Sequence, residues 1–134
     1  MIKIIAVQDK NEQNRLCGQC GAEFLPDALA YAGYICESAD GKFACIAQFS
    51  LKSGYAELYN LSPAGDTALN EDAMLLCGRA ALYFAYTHGV HEARCAMPVP
   101  EWLRLFRAIG FIPDDGGMRC DLKALFNGKC CGDK

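Results

Sequence analysis

The sequence predicts an α+β fold, a mixed sheet with helices on both faces in the order β-α-α-β-β-β-α-β-α-β. Three observations carry this. Residues 31–61 contain three strand-like runs with a period near two, separated by Ala39-Asp40-Gly41 and Lys52-Ser53-Gly54, which is the pattern of an antiparallel meander. Residues 70–88 repeat apolar side chains at helical spacing over the longest such stretch in the chain. A strand follows that helix, so the connection is a βαβ crossover and the sheet must turn from antiparallel to parallel beside it.

Each element has a local reason. Residues 2–8 are apolar and β-branched and read as a first strand ending at Gln8-Asp9. Asp9 or Asn11 then caps a short helix that includes Leu16 and Cys20 and is interrupted by Gly18 and Gly21. Pro26-Asp27 opens a second short helix or turn. The meander follows as 31–38, 42–51 and 54–61. In the long helix Asn70 is the cap, Glu71 and Asp72 favour its positive end, and Gly89 stops it. Ala73, Leu76, Cys77, Ala80 and Phe84 form its apolar stripe, widened by Leu75, Leu82 and Tyr86. His91 to Met97 is a fifth strand, Pro100-Glu101 opens a helix through Ile109, Gly110 ends it, and Met118 to Phe126 is the last strand.

The length of 134 residues suits one domain, expected over 1–126, with a loose tail over 127–134. Thirteen basic against sixteen acidic side chains give a net charge of −3, which argues against nucleic acid and anionic membranes as partners. The apolar start, Met1 to Val7, is shorter than a signal-peptide core, so a cytoplasmic location is expected.

The nine cysteines are an odd number with no export signal, which points to reduced thiols. Cys36, Cys45, Cys77, Cys95 and Cys120 lie in apolar segments and read as core. Cys17-Gly18-Gln19-Cys20 has the spacing of a zinc knuckle or redox pair, with Cys130-Cys131 as further thiols. No second C-x-x-C accompanies it, adjacent cysteines ligate poorly, and the pair falls inside a helical stretch. No metal is expected. His88 and His91 flank the Gly89 turn without a ligand role, and Trp102, Arg104 and Arg107 divide between the faces of the penultimate helix.

Three stretches resemble the GNAT N-acetyltransferase superfamily, and with the element order the resemblance spans nearly the whole chain. Ala56-Glu57-Leu58-Tyr59-Asn60-Leu61-Ser62-Pro63 looks like the family's fourth strand and exit proline. Arg79-Ala80-Ala81-Leu82 through Ala85 and Gly89-Val90 look like the helix that follows. Trp102 through Gly110-Phe111 looks like the helix that ends in a Gly-Phe pair. The resemblance implies that acetyl-CoA or another acyl-CoA is the cosubstrate, lying between the fourth and fifth strands with its pyrophosphate at the turn before the long helix.

The sequence departs from the family at two places. The signature R/Q-x-x-G-x-G/A is missing: from Ser53 to Gly78 there is no Lys, Arg or His, while Asp66, Glu71 and Asp72 are present. Acids there occupy the helix pole that an anion would use. The tyrosine that protonates the leaving thiolate in many members is replaced by Phe106, and the family's asparagine falls on Val99.

The implied activity is N-acyl transfer, most simply of an acetyl group, from acyl-CoA to a small-molecule or peptide amine. Glu57 is the candidate general base, on the same strand face as Tyr55 and Tyr59. Tyr59 or Tyr55 is the candidate replacement acid. Backbone amides at Leu61 and from Asn70 through Glu71 to Asp72 are the expected cofactor-facing edge. The competing expectation is a degenerate binding or regulatory module without acyl-CoA turnover, able to form a homodimer through an exposed sheet edge.

Overall fold

The computed structural model describes residues 2–37, 40–65 and 67–128. Its elements are β1 (Ile2–Val7), α1 (Lys10–Gln19), β2 (Leu29–Glu37), β3 (Asp40–Leu51), β4 (Ala56–Pro63), α2 (Thr67–Thr87), β5 (Glu92–Ala96), α3 (Leu103–Ile109), β6 (Ile112–Asp114) and β7 (Gly117–Asp121). A 3-10 turn, Pro100–Trp102, leads into α3, and a π-helical turn, Ala124–Gly128, follows β7. The seven strands form one sheet in the order β1-β2-β3-β4-β5-β7-β6. Only β4 and β5 run parallel, across the α2 crossover; every other pair is antiparallel.

Helices cover both faces. Leu16 and Cys17 of α1 bury against Val7, Ala30, Ala32 and Ile46 on one side. Ala73, Met74 and Cys77 of α2, with Phe106 and Ile109 of α3, bury against Ala47, Phe49, Leu58 and Leu61 on the other. Asp9 sets the start of α1, its carboxylate accepting from the backbone N–H of Asn11 (2.8 Å) and Glu12 (3.1 Å). Arg79 on α2 closes the other end of α3, donating from Nε to the Ile109 carbonyl (3.2 Å) and from Nη2 to that of Ala108 (2.8 Å). Gly110 continues from there at φ +135°, a conformation that side-chain-bearing residues rarely adopt.

Four expectations need correction. The second short helix is a turn: Ala28 N–H bonds to Leu25 O (3.1 Å), and β2 begins at once, with Leu29 opposite Phe49. α2 starts at Thr67, so Asn70 lies in its first turn and does not cap it; nothing in Thr67-Ala68-Leu69 breaks a helix. The last strand ends at Asp121, whose carboxylate accepts from Ala124 N–H (3.1 Å) and turns the chain into a helical turn. An unpredicted hairpin joins β6 to β7 through Asp115 (φ 49°) and Gly116 (φ 87°), the two positive φ values that a tight hairpin turn of this hand requires.

Among the described residues no helix is long and apolar enough to cross a membrane. Cys45, Cys77, Cys95 and Cys120 are buried as expected, while the Cys36 side chain, Cys130, Cys131 and the end of the tail lie outside the described residues.

Candidate functional site

The site arises from a slip in register. Gln48 on β3 pairs with Asn60 on β4, but the next residue, Phe49, pairs with Leu58, so Tyr59 is an extra residue in β4. Such a bulge bends its strand and increases its twist. β5 pairs with β4 only through Ala56↔Ala93, Glu57↔Arg94 and Leu58↔Cys95. At the bulge the two parallel strands part, and the β5-facing edge of β4 from Tyr59 onward has no strand to pair with.

A cleft of about 420 Å³ opens between them, within the size range of small-molecule sites. Tyr59, Asn60 and Leu61 form one wall and Cys95, Met97 and Val99 the other. Trp102 and Phe106 close it from the α3 side, and Cys20 at the end of α1 reaches it from the opposite face. None of its lining residues is charged.

The polar groups at the wall are amides, hydroxyls and thiols. Gln48 is fully buried; its Nε2 donates to Leu25 O (3.5 Å), which turns its Oε1 toward Asn60 Nδ2 at 3.0 Å. Asn60 Oδ1 is left buried without a protein partner. Burial pushes the Cys20 thiol up to about 12, helped by Cys45 and Cys17, and pushes Cys95 up to about 12, helped by Cys120. Both thiols are therefore protonated near neutral pH and are poor nucleophiles.

Glu57 lies on the edge of this site rather than in it. Its neighbours Ala56 and Leu58 face the α2 core, so alternation turns Glu57 to the opposite sheet face, half-buried, with Arg94 beside it on β5. The Tyr59 ring has Lys52 Nζ at 5.7 Å from its centroid, and the Tyr55 ring has the Arg94 guanidinium at 4.0 Å. The expected cofactor edge divides. Leu61 is in the cleft, but Glu71 and Asp72 line a second cavity of about 490 Å³ between α2 and the 3-10 turn, with Glu101 and Arg104 opposite.

No protein-family model matches the sequence, and no curated protein is significantly similar to it. Solved structures do match. The ribosomal-protein-S18-alanine N-acetyltransferase of Escherichia coli superposes with a TM-score of 0.65 at 13% identity, over 91% of this chain and 94% of that one. A chimera of the Vibrio cholerae spermidine N-acetyltransferase SpeG and hSSAT gives 0.69 at 11% identity, over 94% and 99%. The E. coli protein YhhK, bound to coenzyme A, gives 0.59 at 18% identity, over 90% and 98%. The chain has the GNAT fold.

Within the GNAT fold, the Tyr59 bulge and the parting of β4 and β5 form the opening in which the sequence resemblance places the acyl thioester. Phe106, at the position of the family's tyrosine, is a buried wall of that opening, and Val99, at the position of its asparagine, is exposed at the rim. Asn60, Cys20, Cys95 and Met97 escaped the sequence reading as site residues. Two of them carried a visible signal, Asn60 as an amide set between the apolar residues of a core strand and Cys20 as half of the Cys17-Gly18-Gln19-Cys20 pair, there read for other chemistry.

Among the described residues no group of three or more His, Cys, Asp or Glu side chains is arranged to hold a metal.

Proposed function

We propose that the chain is a GNAT-like N-acyltransferase, moving an acyl group, most simply acetyl, from a thioester held between β4 and β5 to a small-molecule or peptide amine. The observation that carries this reading is the open cleft beginning at Leu58 and Cys95, in a GNAT fold, with an unpaired β4 edge along one wall. An extended amide-bearing arm can bond to such an edge as an added strand would. Leu61 supplies part of that edge, and the N-terminal part of α2, Asn70 through Glu71 to Asp72, faces whatever the arm carries beyond the cleft.

The transfer is direct. The amine nitrogen attacks the thioester carbonyl, the C–N bond forms as the C–S bond breaks, the nitrogen loses a proton and the departing sulfur gains one. The neutral state of Cys20 and Cys95 disfavours an acyl-cysteine intermediate. Glu57 is assigned as general base for the amine, and Tyr59, the phenol on the cleft wall, as proton donor to the sulfur. Phe106 has no proton to give.

Titrating acetyl-CoA while following thermal unfolding tests the reading, since a ligand at 100 times its Kd adds about 2.7 kcal/mol of stability. A rise in Tm with acetyl-CoA and release of CoA in the presence of a primary-amine panel are expected. No shift at millimolar acetyl-CoA would remove the enzyme reading. Phe106 also favours a second reading, a binding or regulatory module without turnover. CoA-thioester turnover that Glu57→Gln abolishes would exclude that module.

A further inference from the structure

We infer that the ligand of the cleft is recognised through a neutral pantetheine arm and not through a nucleotide, so that acyl-pantetheine chemistry suffices for binding. This rests on the acyl-thioester reading above and narrows its substrate class.

Two features on either side of the β4 and β5 exits support it. Inside the cleft the wall is uncharged: apolar side chains, the Asn60 amide, hydroxyls of Tyr59 and Ser62, and two protonated thiols. That suits an amide-bearing arm without charge. Outside it the chain leads directly into the second cavity, because Val99 at the cleft rim is followed by Pro100 and Glu101, and β4 is followed by α2 with Glu71 and Asp72. Three carboxylates, Glu71, Asp72 and Glu101, line that cavity with one guanidinium, Arg104.

A nucleotide attached to the arm brings pyrophosphate and a further phosphate to this region. Phosphate sites at helix N-termini use bare N–H groups and a positive pole. Here α2 begins at Thr67 with no acid in its first turn, but Glu71 and Asp72 in the next turn bring two negative charges close to that end. From Ser53 to Gly78 no Lys, Arg or His is available to offset them. The arm fits the residues present, and the nucleotide does not.

Calorimetric titration of the full chain with pantetheine, coenzyme A and adenosine 3′,5′-bisphosphate tests the inference. The expected result is pantetheine affinity within about tenfold of that of coenzyme A, with no binding of the bisphosphate. Added salt should tighten coenzyme A, by screening its phosphates from the carboxylates, and leave pantetheine unchanged. Coenzyme A binding tighter than pantetheine by about tenfold or more would overturn the inference and leave the acyltransferase reading standing. Binding of neither pantetheine nor coenzyme A would overturn both.

The paired substitution Glu71→Lys and Asp72→Lys provides an independent arm. It should tighten coenzyme A about tenfold or more without changing pantetheine affinity. An unchanged coenzyme A affinity in that variant would also overturn the inference.

Discussion

Asn60 Nδ2 donates to Gln48 Oε1 across 3.0 Å at the last register pair before the bulge, so a buried amide contact fixes the point where β4 leaves its alignment with β3. Gln48 has no exposed surface, and its own Nε2 is engaged with Leu25 O. The pair therefore ties the cleft wall to the segment between α1 and β2. Such contacts contribute little net energy when made, but a buried partner left behind is costly.

Gln48→Leu should accordingly cost about 1–3 kcal/mol, because Asn60 Nδ2 would keep only the Glu23 carbonyl at 3.5 Å. Adding Asn60→Leu should recover part of that loss, since no donor is then stranded. Urea unfolding of the two single variants and the double variant reads the coupling. Strictly additive losses would mean that the amides act independently.

The proton-transfer roles separate by kinetics. Glu57→Gln should lower kcat by about 10²–10⁴-fold with acetyl-CoA affinity unchanged, because Glu57 lies outside the cleft wall. Tyr59→Phe keeps the aromatic wall and removes only the hydroxyl, so it too should reduce turnover more than binding. Equal loss of kcat/KM and of acetyl-CoA binding in Glu57→Gln would assign Glu57 to the architecture of β4 instead.

Packing beneath the cleft gives a third prediction. A Cβ on Gly78 would stand 2.8 Å from Ile109 Cδ1 and 3.2 Å from Leu61 Cδ2, at the meeting of α2, α3 and β4. Alanine improves helix propensity by about 1 kcal/mol, whereas overpacking costs about 1–3 kcal/mol. Ile109 is fully buried and has little room to move, so Gly78→Ala should be destabilising by up to about 2 kcal/mol. Ile109→Val deletes the atom in conflict and should restore stability in the Gly78→Ala background, although it costs about 0.5–1.5 kcal/mol alone. Thermal melts of the four proteins decide it.

The meander and the long crossover helix were legible because their punctuation is local: Lys52-Ser53-Gly54 and Gly89 act within a few residues. The opening between the fourth and fifth strands came only from the family resemblance, and the bulge that makes it was not legible, because a bulge is a property of two strands in register. Its one trace within β4 is a change of parity, with Ala56 and Leu58 on the core face at even positions and Leu61 on the same face at an odd one. β6 was hidden for another reason. Its three exposed residues include Pro113 and carry no period, and only Asp115-Gly116 marks the turn. Glu71 and Asp72, expected at the start of the long helix, fall in its second turn because the helix begins at Thr67 with no acid in its first turn, and that they line a cavity with Glu101 and Arg104 depends on the packing of α2 against the turn before α3.

The shielded thiols should make the fold sensitive to alkaline pH. Burial raises Cys20 and Cys95 to about 12 and Cys120 to about 11, while an unfolded cysteine titrates near 8.5. Below about pH 8.5 both states hold these protons, and stability does not depend on them. Above it the unfolded chain loses protons that the folded chain keeps, so stability falls as pH rises, by up to about 1.4 kcal/mol per pH unit for each thiol, until the folded values are passed. Cys77, raised by its contact with the Cys45 thiol and by burial, adds to the same trend. Urea midpoints under reducing conditions should therefore drop steeply between about pH 9 and 11, and Cys95→Ala should show a shallower slope even if its stability at neutral pH is lower. A pH-independent midpoint across that range would mean that these thiols ionise as readily in the folded chain as in the unfolded one.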